Sequence, residues 1–255
     1  MKRIVIKVGT AVLTQDDNTK LALNRIENLV KLISTLKNDK KLEIIFVSSG
    51  AVGAGYTLLQ LDKKDLVNKQ ALAAVGQPVL IKTYQELFSQ YNIDIAQMLF
   101  IADDFDSRKR SKNAKNVMER LLVNNILPII NENDIISTEE LIGDNDQLAA
   151  YITHYFKADM LVILTDIDGY YNKNPREFPD AELQKIVSTI SEDELFKKPS
   201  ANSKFATGGI VTKLKAADFL MQKDIPMYLT SGFDLTNAYE FLVNKNHKSG
   251  TIFKK

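Results

Sequence analysis

Short apolar runs of strand length alternate along this chain with longer stretches whose apolar residues recur at helical spacing, and few folds accommodate that alternation. The strand-like runs are IVIKVG (4 to 9), LEIIFVS (42 to 48), DIAQMLF (94 to 100), ILPIIN (126 to 131), MLVILT (160 to 165), IPMYLT (225 to 230) and GTIF (250 to 253). Between the first two, Leu23, Ile26, Val30 and Ile33 repeat at helical spacing, and Asn24 with Glu27 has the spacing of a capping box. Strands joined by helix-length connections pair in parallel and need helices on their faces, so the pattern predicts an α/β layered fold around a mostly parallel sheet. A two-stranded element is expected from Ile135 to Ile142, turning at Ser137 to Glu140. No fixed-period repeat or proline-rich linker divides the chain, which reads as one domain, 1–255.

Composition narrows the function classes. The 255 residues are 45% hydrophobic, enough for a substantial core. Lysine and arginine number 33 against 32 acidic residues, so net charge gives no basis for binding nucleic acid or an anionic membrane. Cysteine is absent, which excludes disulfides, thiolate zinc sites and cysteine nucleophiles, and suits a reducing cytosol. No signal-peptide pattern opens the chain and no apolar run reaches ~18 residues. The expectation is a soluble, cytoplasmic protein.

Within that frame Lys7 is anomalous. It stands inside an apolar strand, where its charge is costly unless an anion meets it. In parallel α/β sheets ligands gather at the carboxyl ends of strands, and the polar residues concentrate there. The first strand ends Lys7-Val8-Gly9-Thr10, and the second runs into V-S-S-G-A-V-G-A-G (47 to 55). Later ends give Asn131-Glu132-Asn133-Asp134 and Thr165-Asp166-Ile167-Asp168-Gly169, and a further loop reads T-G-G-I-V-T-K (207 to 213). The glycines at 50, 53 and 55 do not have dinucleotide-fingerprint spacing, and no P-loop or protein-kinase signature occurs. Gly53 and Gly55 read at least as well as tight packing of a helix against the sheet, whereas Ser49 and Gly50 suit backbone amides facing an anion. Lys213 falls early in a helix, against the helix dipole, a placement that a ligand would justify. Asp134, Asn145 and Asp146 cluster between a buried strand and a helical run, whereas Asp144 and Asp166 read as well as turn or cap residues. Arg108, Lys109, Arg110 and Lys112 follow Asp103, Asp104 and Asp106, which favours a solvated helix face or a subunit contact over nucleic acid.

The motifs I-K-V-G-T, V-S-S-G-A-V-G-A-G, A-A-V-G-Q (73 to 77), I-N-E-N-D (130 to 134), G-D-N-D (143 to 146), L-T-D-I-D-G-Y-Y (164 to 171) and T-G-G-I-V-T-K-L-K-A-A (207 to 217) resemble the glutamate 5-kinase family of the amino acid kinase superfamily, over essentially the whole chain. That resemblance implies a three-layer αβα sandwich and ATP-dependent phosphorylation of the L-glutamate side-chain carboxylate to L-glutamyl 5-phosphate, the first step toward proline. It also implies ATP with Mg2+, L-glutamate, L-proline as feedback inhibitor, and a homo-oligomer. By the same likeness Lys7, Lys213 and Asp146 are catalytic, Asp146 orienting the lysines or sharing magnesium. Ser49, Gly50, Asp134 and Asn145 hold glutamate. Lys7, Gly9, Thr10, Thr165, Asp166, Thr207, Gly208, Gly209, Ile210, Val211, Thr212 and Lys213 surround the nucleotide. Many members carry an additional C-terminal PUA module, and the chain reads as a form without it. The glutamate carboxylate is already ionised near neutrality, so no general base is required; the two histidines, His154 and His247, read as structural. Two alternatives stay open: a family member with another acceptor (acetylglutamate, carbamate or a nucleoside monophosphate), and a non-catalytic amino-acid or nucleotide sensor.

Overall fold

The structure, a computed structural model, describes residues 1–15, 20–137, 145–175, 177–196 and 209–255. In chain order its elements are β1 (Arg3–Val8), α1 (Thr10–Leu13), α2 (Leu23–Asn38), β2 (Glu43–Ser48), α3 (Ala51–Leu59), α4 (Leu66–Ser89), β3 (Ile95–Phe100), α5 (Arg108–Val123), β4 (Leu127–Glu132), α6 (Asn145–Tyr155), β5 (Met160–Thr165), β6 (Ile186–Val187), α7 (Glu192–Phe196), α8 (Gly209–Met221), β7 (Met227–Ser231), α9 (Thr236–Leu242) and β8 (Thr251–Phe253). The strands form one sheet in the order β3-β4-β2-β1-β5-β7-β8-β6, parallel except where β8 meets β7.

The two-residue period of a strand sorts β1 between two cores. Ile4, Ile6 and Val8 pack with α2, α4 and α9, whereas Val5 packs with α5, α6 and α8. Lys7 follows Val5 by two and therefore shares the α6 and α8 face. Both faces are covered, giving the helix-sheet-helix layering expected of a parallel sheet. Because β1 pairs with β2 on one side and β5 on the other, the chain switches sides at β1, and a crevice opens at the carboxyl ends of these strands.

At the opposite end, helix-to-strand turns pass through left-handed residues that are not glycine, among them Asn92, Asn125, Lys157 and Asp224. Glycine is kept for the site end. Gly50, which precedes α3, has φ 98°, a conformation that carries little steric cost only without a side chain. Gly55 and Gly76 bring α3 against α4: a Cβ on Gly76 would lie 1.9 Å from the Ala51 carbonyl oxygen, and one on Gly55 1.9 Å from that of Leu72. The packing reading of Gly55 thus fits, with a helix rather than the sheet as its partner. Alanine is ordinarily the better helix former by about 1 kcal/mol, but here the clash is with backbone and dominates. Gly76→Ala is expected to destabilise the protein by about 3 kcal/mol, read as a lower denaturant midpoint; an unchanged midpoint would show that the helices separate freely.

Two expectations about local structure are corrected. Asn24 and Glu27 do not form a capping box: α2 starts after Ala22 with no side-chain cap, and the Asn24 oxygen accepts only from the Arg25 amide. The Thr14–Leu21 bridge and the Ala22 amide on the Leu13 carbonyl fix the chain's entry earlier than the cap spacing suggests. Ile135 and Ile136 lie in a turn rather than a strand; the rest of that proposed element, 138 to 142, lies outside the described residues.

Candidate active site

Lys7 finds its anion within the protein. Its Nζ lies 2.6 Å from Oδ1 of Asp146, while Nζ of Lys213 lies 3.1 Å from Oδ2 of the same carboxylate. All three side chains are buried. Thr212 donates its hydroxyl to Oδ2 at 2.9 Å, and Lys213 also donates to the Gly209 carbonyl at 2.8 Å. Burial pushes the Asp146 carboxyl upward, but the charges of Lys7 and Lys213, with hydrogen bonds from Lys7 and Thr212, hold it well below the usual carboxylate range. One carboxylate facing two ammonium groups leaves an excess of positive charge at the strand ends.

Beside this cluster the Gly9 amide donates to the Leu164 carbonyl at 3.0 Å. A Cβ on Gly9 would come no closer than 3.7 Å to anything, with Lys7 Nζ and Thr165 Oγ1 both at 3.9 Å. The fold's own packing does not require glycine there; the small residue leaves room between two polar groups. Thr10 opens α1 on the surface, and Thr165 donates to the exposed Asp166 at 2.9 Å. Gly209, Ile210, Val211 and Thr212 form the first turn of α8 rather than a loop. Thr207, Gly208 and Asp144 lie outside the described residues.

On the other side, at the ends of β2 and β4, carboxamides dominate. Nδ2 of Asn145 donates to the Ser48 carbonyl at 3.2 Å, Ser49 Oγ at 3.0 Å and Asn131 Oδ1 at 2.8 Å. Its Oδ1 is buried without a partner among the described residues. The Ser49 amide donates to the Val8 carbonyl at 3.3 Å, so this amide, expected to face an anion, is engaged by β1. Asp134, near Glu132 and largely buried, has its carboxyl raised to about 7, first by burial and then by the Glu132 charge. Ser137 donates to Glu132 at 2.6 Å. Asn131, Glu132 and Gln77 were missed as individual site residues, although the motifs I-N-E-N-D and A-A-V-G-Q contain them.

No cluster of three His, Cys, Asp or Glu suited to a metal occurs among the described residues. Asp146 has an ammonium group against each oxygen, which makes it a charge partner rather than a free metal donor. Its donor chemistry therefore does not fit a protein-held magnesium site. Elsewhere, Ser107 caps α5 and Arg110 pairs with Asp104 at 3.1 Å, so this basic stretch is exposed and partly neutralised. His154 packs edge-on to Phe219, and His247 packs against Tyr228. No described helix is long and apolar enough to cross a membrane.

Residues 2–231 match the amino acid kinase family. The chain is 52% identical over 258 residues to the glutamate 5-kinase of Wolinella succinogenes, covering 99% of this chain and 98% of that one. It is 50% identical over 254 residues to that of Leishmania donovani, covering 99% and 95%. With the glutamate 5-kinase of Caldanaerobacter subterraneus it shares 45% identity over 234 residues, 90% of this chain and 62% of that one. Among solved structures, carbamate kinase from Giardia lamblia bound to AMP-PNP superposes with a TM-score of 0.68 at 16% identity, covering 100% and 99%. An isopentenyl phosphate kinase substrate complex gives 0.67 at 18%, covering 99% of each chain; these two likenesses concern the fold. The αβα sandwich, the family match over most of the chain and the near end-to-end identity lead to one conclusion: the chain belongs to the amino acid kinase family, among its glutamate 5-kinases.

Proposed function

We propose that this protein, as a single domain over 1–255, transfers the γ-phosphoryl group of ATP to the side-chain carboxylate of L-glutamate, forming L-glutamyl 5-phosphate for proline synthesis. The observation that carries the reading is the buried Lys7–Asp146–Lys213 cluster at the switch point of the sheet. Phosphoryl transfer is mainly a matter of positioning and charge neutralisation. Lys7, beside the open space at Gly9, meets the phosphate tail; Lys213, anchored through Gly209 and Asp146, meets the group in flight. Asp146 keeps both ammonium groups aimed and remains ionised throughout. Magnesium accompanying the nucleotide would supply further charge neutralisation there.

The acceptor lies on the carboxamide side. Because the Asn145 amide nitrogen is committed within the protein, its oxygen and the Asp134 carboxylate receive the substrate ammonium, and the Ser49 hydroxyl is free to donate its own proton to a substrate carboxylate. In the direct test, ATP, Mg2+ and L-glutamate are incubated with hydroxylamine and both ADP and glutamyl hydroxamate are measured. ADP formed with carbamate, acetylglutamate or a nucleoside monophosphate, and none with glutamate, would overturn the reading. In the same assay L-proline, which presents the same carboxylate and a cationic nitrogen without the nucleophile, raises the apparent KM for glutamate.

A pH dependence follows from Asp134. Its carboxyl titrates at about 7 in the free site, so below that pH it is neutral and an incoming ammonium must first displace a proton. Glutamate KM is expected to fall as pH rises toward about 7, by up to tenfold per unit on the acid side, and then to level. Asp134→Asn should raise KM and flatten the profile; a variant with the wild-type profile would remove Asp134 from substrate binding.

A further inference from the structure

Asn145 is an amide whose two ends have different fates. Its nitrogen has three acceptors within 3.2 Å, and the Ser48 carbonyl, which can only accept, fixes which end is nitrogen. Among the described residues its oxygen is buried without a partner, an arrangement that is costly unless a donor arrives.

The orientation is propagated from farther away. Asn131 Oδ1, which accepts from Asn145, also accepts from the Glu132 amide at 2.9 Å. Asn131 Nδ2 in turn donates to Gln77 Oε1 at 2.8 Å. Both ends of the Asn131 amide are therefore pinned, and turning it over would set its nitrogen against the nitrogen of Asn145. Gln77 belongs to α4, whose Gln70, two turns earlier on the same face, donates to the Ser137 carbonyl at 3.5 Å. One helix thus braces the segment after β4 at two points.

We propose that Gln77 and Asn131 are positioning residues: they hold in place an amide relay, polarised by the Ser48 carbonyl and the Glu132 amide, that leaves the Asn145 oxygen as an acceptor reserved for the substrate's α-ammonium, and so make the site select a free amine. This rests on glutamate being the substrate, and glutamate turnover by the unaltered protein tests that reading separately. Neither Gln77 nor Asn131 touches the reacting atoms.

The experiment compares Gln77→Met, which removes the acceptor at similar volume, with Gln77→Glu, which retains it. The Gln77→Asn variant withdraws the acceptor by one methylene and serves if the methionine variant does not fold. Steady-state constants for glutamate and ATP are measured alongside the inhibition constant of glutarate, which keeps both carboxylates and lacks the nitrogen. Gln77→Met is expected to raise glutamate KM about tenfold, the scale of one hydrogen bond to a charged group. ATP KM and the glutarate constant should move less than about twofold, and Gln77→Glu should recover most of the loss, because only the ammonium contact is at stake. Parallel weakening of glutamate and glutarate, or an equal rise in ATP KM, would reduce Gln77 to a general support of α4. An unchanged glutamate KM would overturn the relay itself.

Discussion

Lys213→Ala is expected to lower kcat by two or more powers of ten while the glutamate KM stays within about threefold. The asymmetry follows from where the ammonium sits. Its hydrogen bonds to Asp146 and Gly209 hold it buried in α8, away from the carboxamide side that receives glutamate. Under the proposed function its charge acts on the phosphoryl group as transfer proceeds rather than on the bound acceptor. Lysine-to-arginine exchange should not rescue, because a planar fork cannot reproduce a compact ammonium held at 3.1 Å from Asp146. Retention of more than a fifth of the wild-type kcat in Lys213→Ala would remove this residue from the mechanism. Lys7→Ala is expected to raise ATP KM as well, since in the proposed mechanism its charge meets phosphate before and during transfer.

The second large effect is on stability. Asp146→Asn leaves two buried ammonium groups without their carboxylate, a loss of about 3–5 kcal/mol, or about 10 °C in melting temperature for a chain of this size. The sign with pH is fixed by the depressed carboxyl of Asp146: its contribution is complete above the unfolded-state pKa of about 4 and is lost only as pH falls through the lower folded value. The gap between wild type and variant should thus be constant near neutrality and close in acid. ATP should narrow it, because its phosphates supply the negative charge that the substitution removed. Scanning calorimetry with and without ATP measures this directly; a nucleotide-induced shift no larger in the variant than in wild type would mean that the lysines do not face the phosphates.

Much of this was legible in the chain. MLVILT (160 to 165) coincides with β5, and LEIIFVS, ILPIIN and IPMYLT each fall within two residues of an observed strand, because continuous apolar runs mark strands buried on both faces. Lys7 stood out because a charge inside such a run demands an explanation, and Asp146 and Lys213 were readable from polar density at helix starts. The amide relay was not. Asn131 sits in a buried strand and Gln77 inside a helix, and a carboxamide in either place carries no periodic signal; only the packing of α4 beside β4 pairs them. The capping-box spacing at Asn24 misled for a related reason: a nonlocal bridge between Thr14 and Leu21 decides where α2 begins, and local spacing cannot register it.

The central place of β1 in the sheet also governs when the proposed site can be completed during synthesis. The strand emerges first, yet it stays unpaired until β2 arrives and is enclosed only when β5 does, and its lysine meets a second ammonium only after α8 has been made. A chain that ends between Asp146 and Lys213 brings only Lys7 to that carboxylate, without the surplus positive charge that the proposed function assigns to nucleotide binding. Long-range parallel pairings of this kind form slowly. Under the proposed function catalytic competence therefore arrives late, and a ribosome-bound fragment ending ahead of Lys213 is expected to consume no ATP.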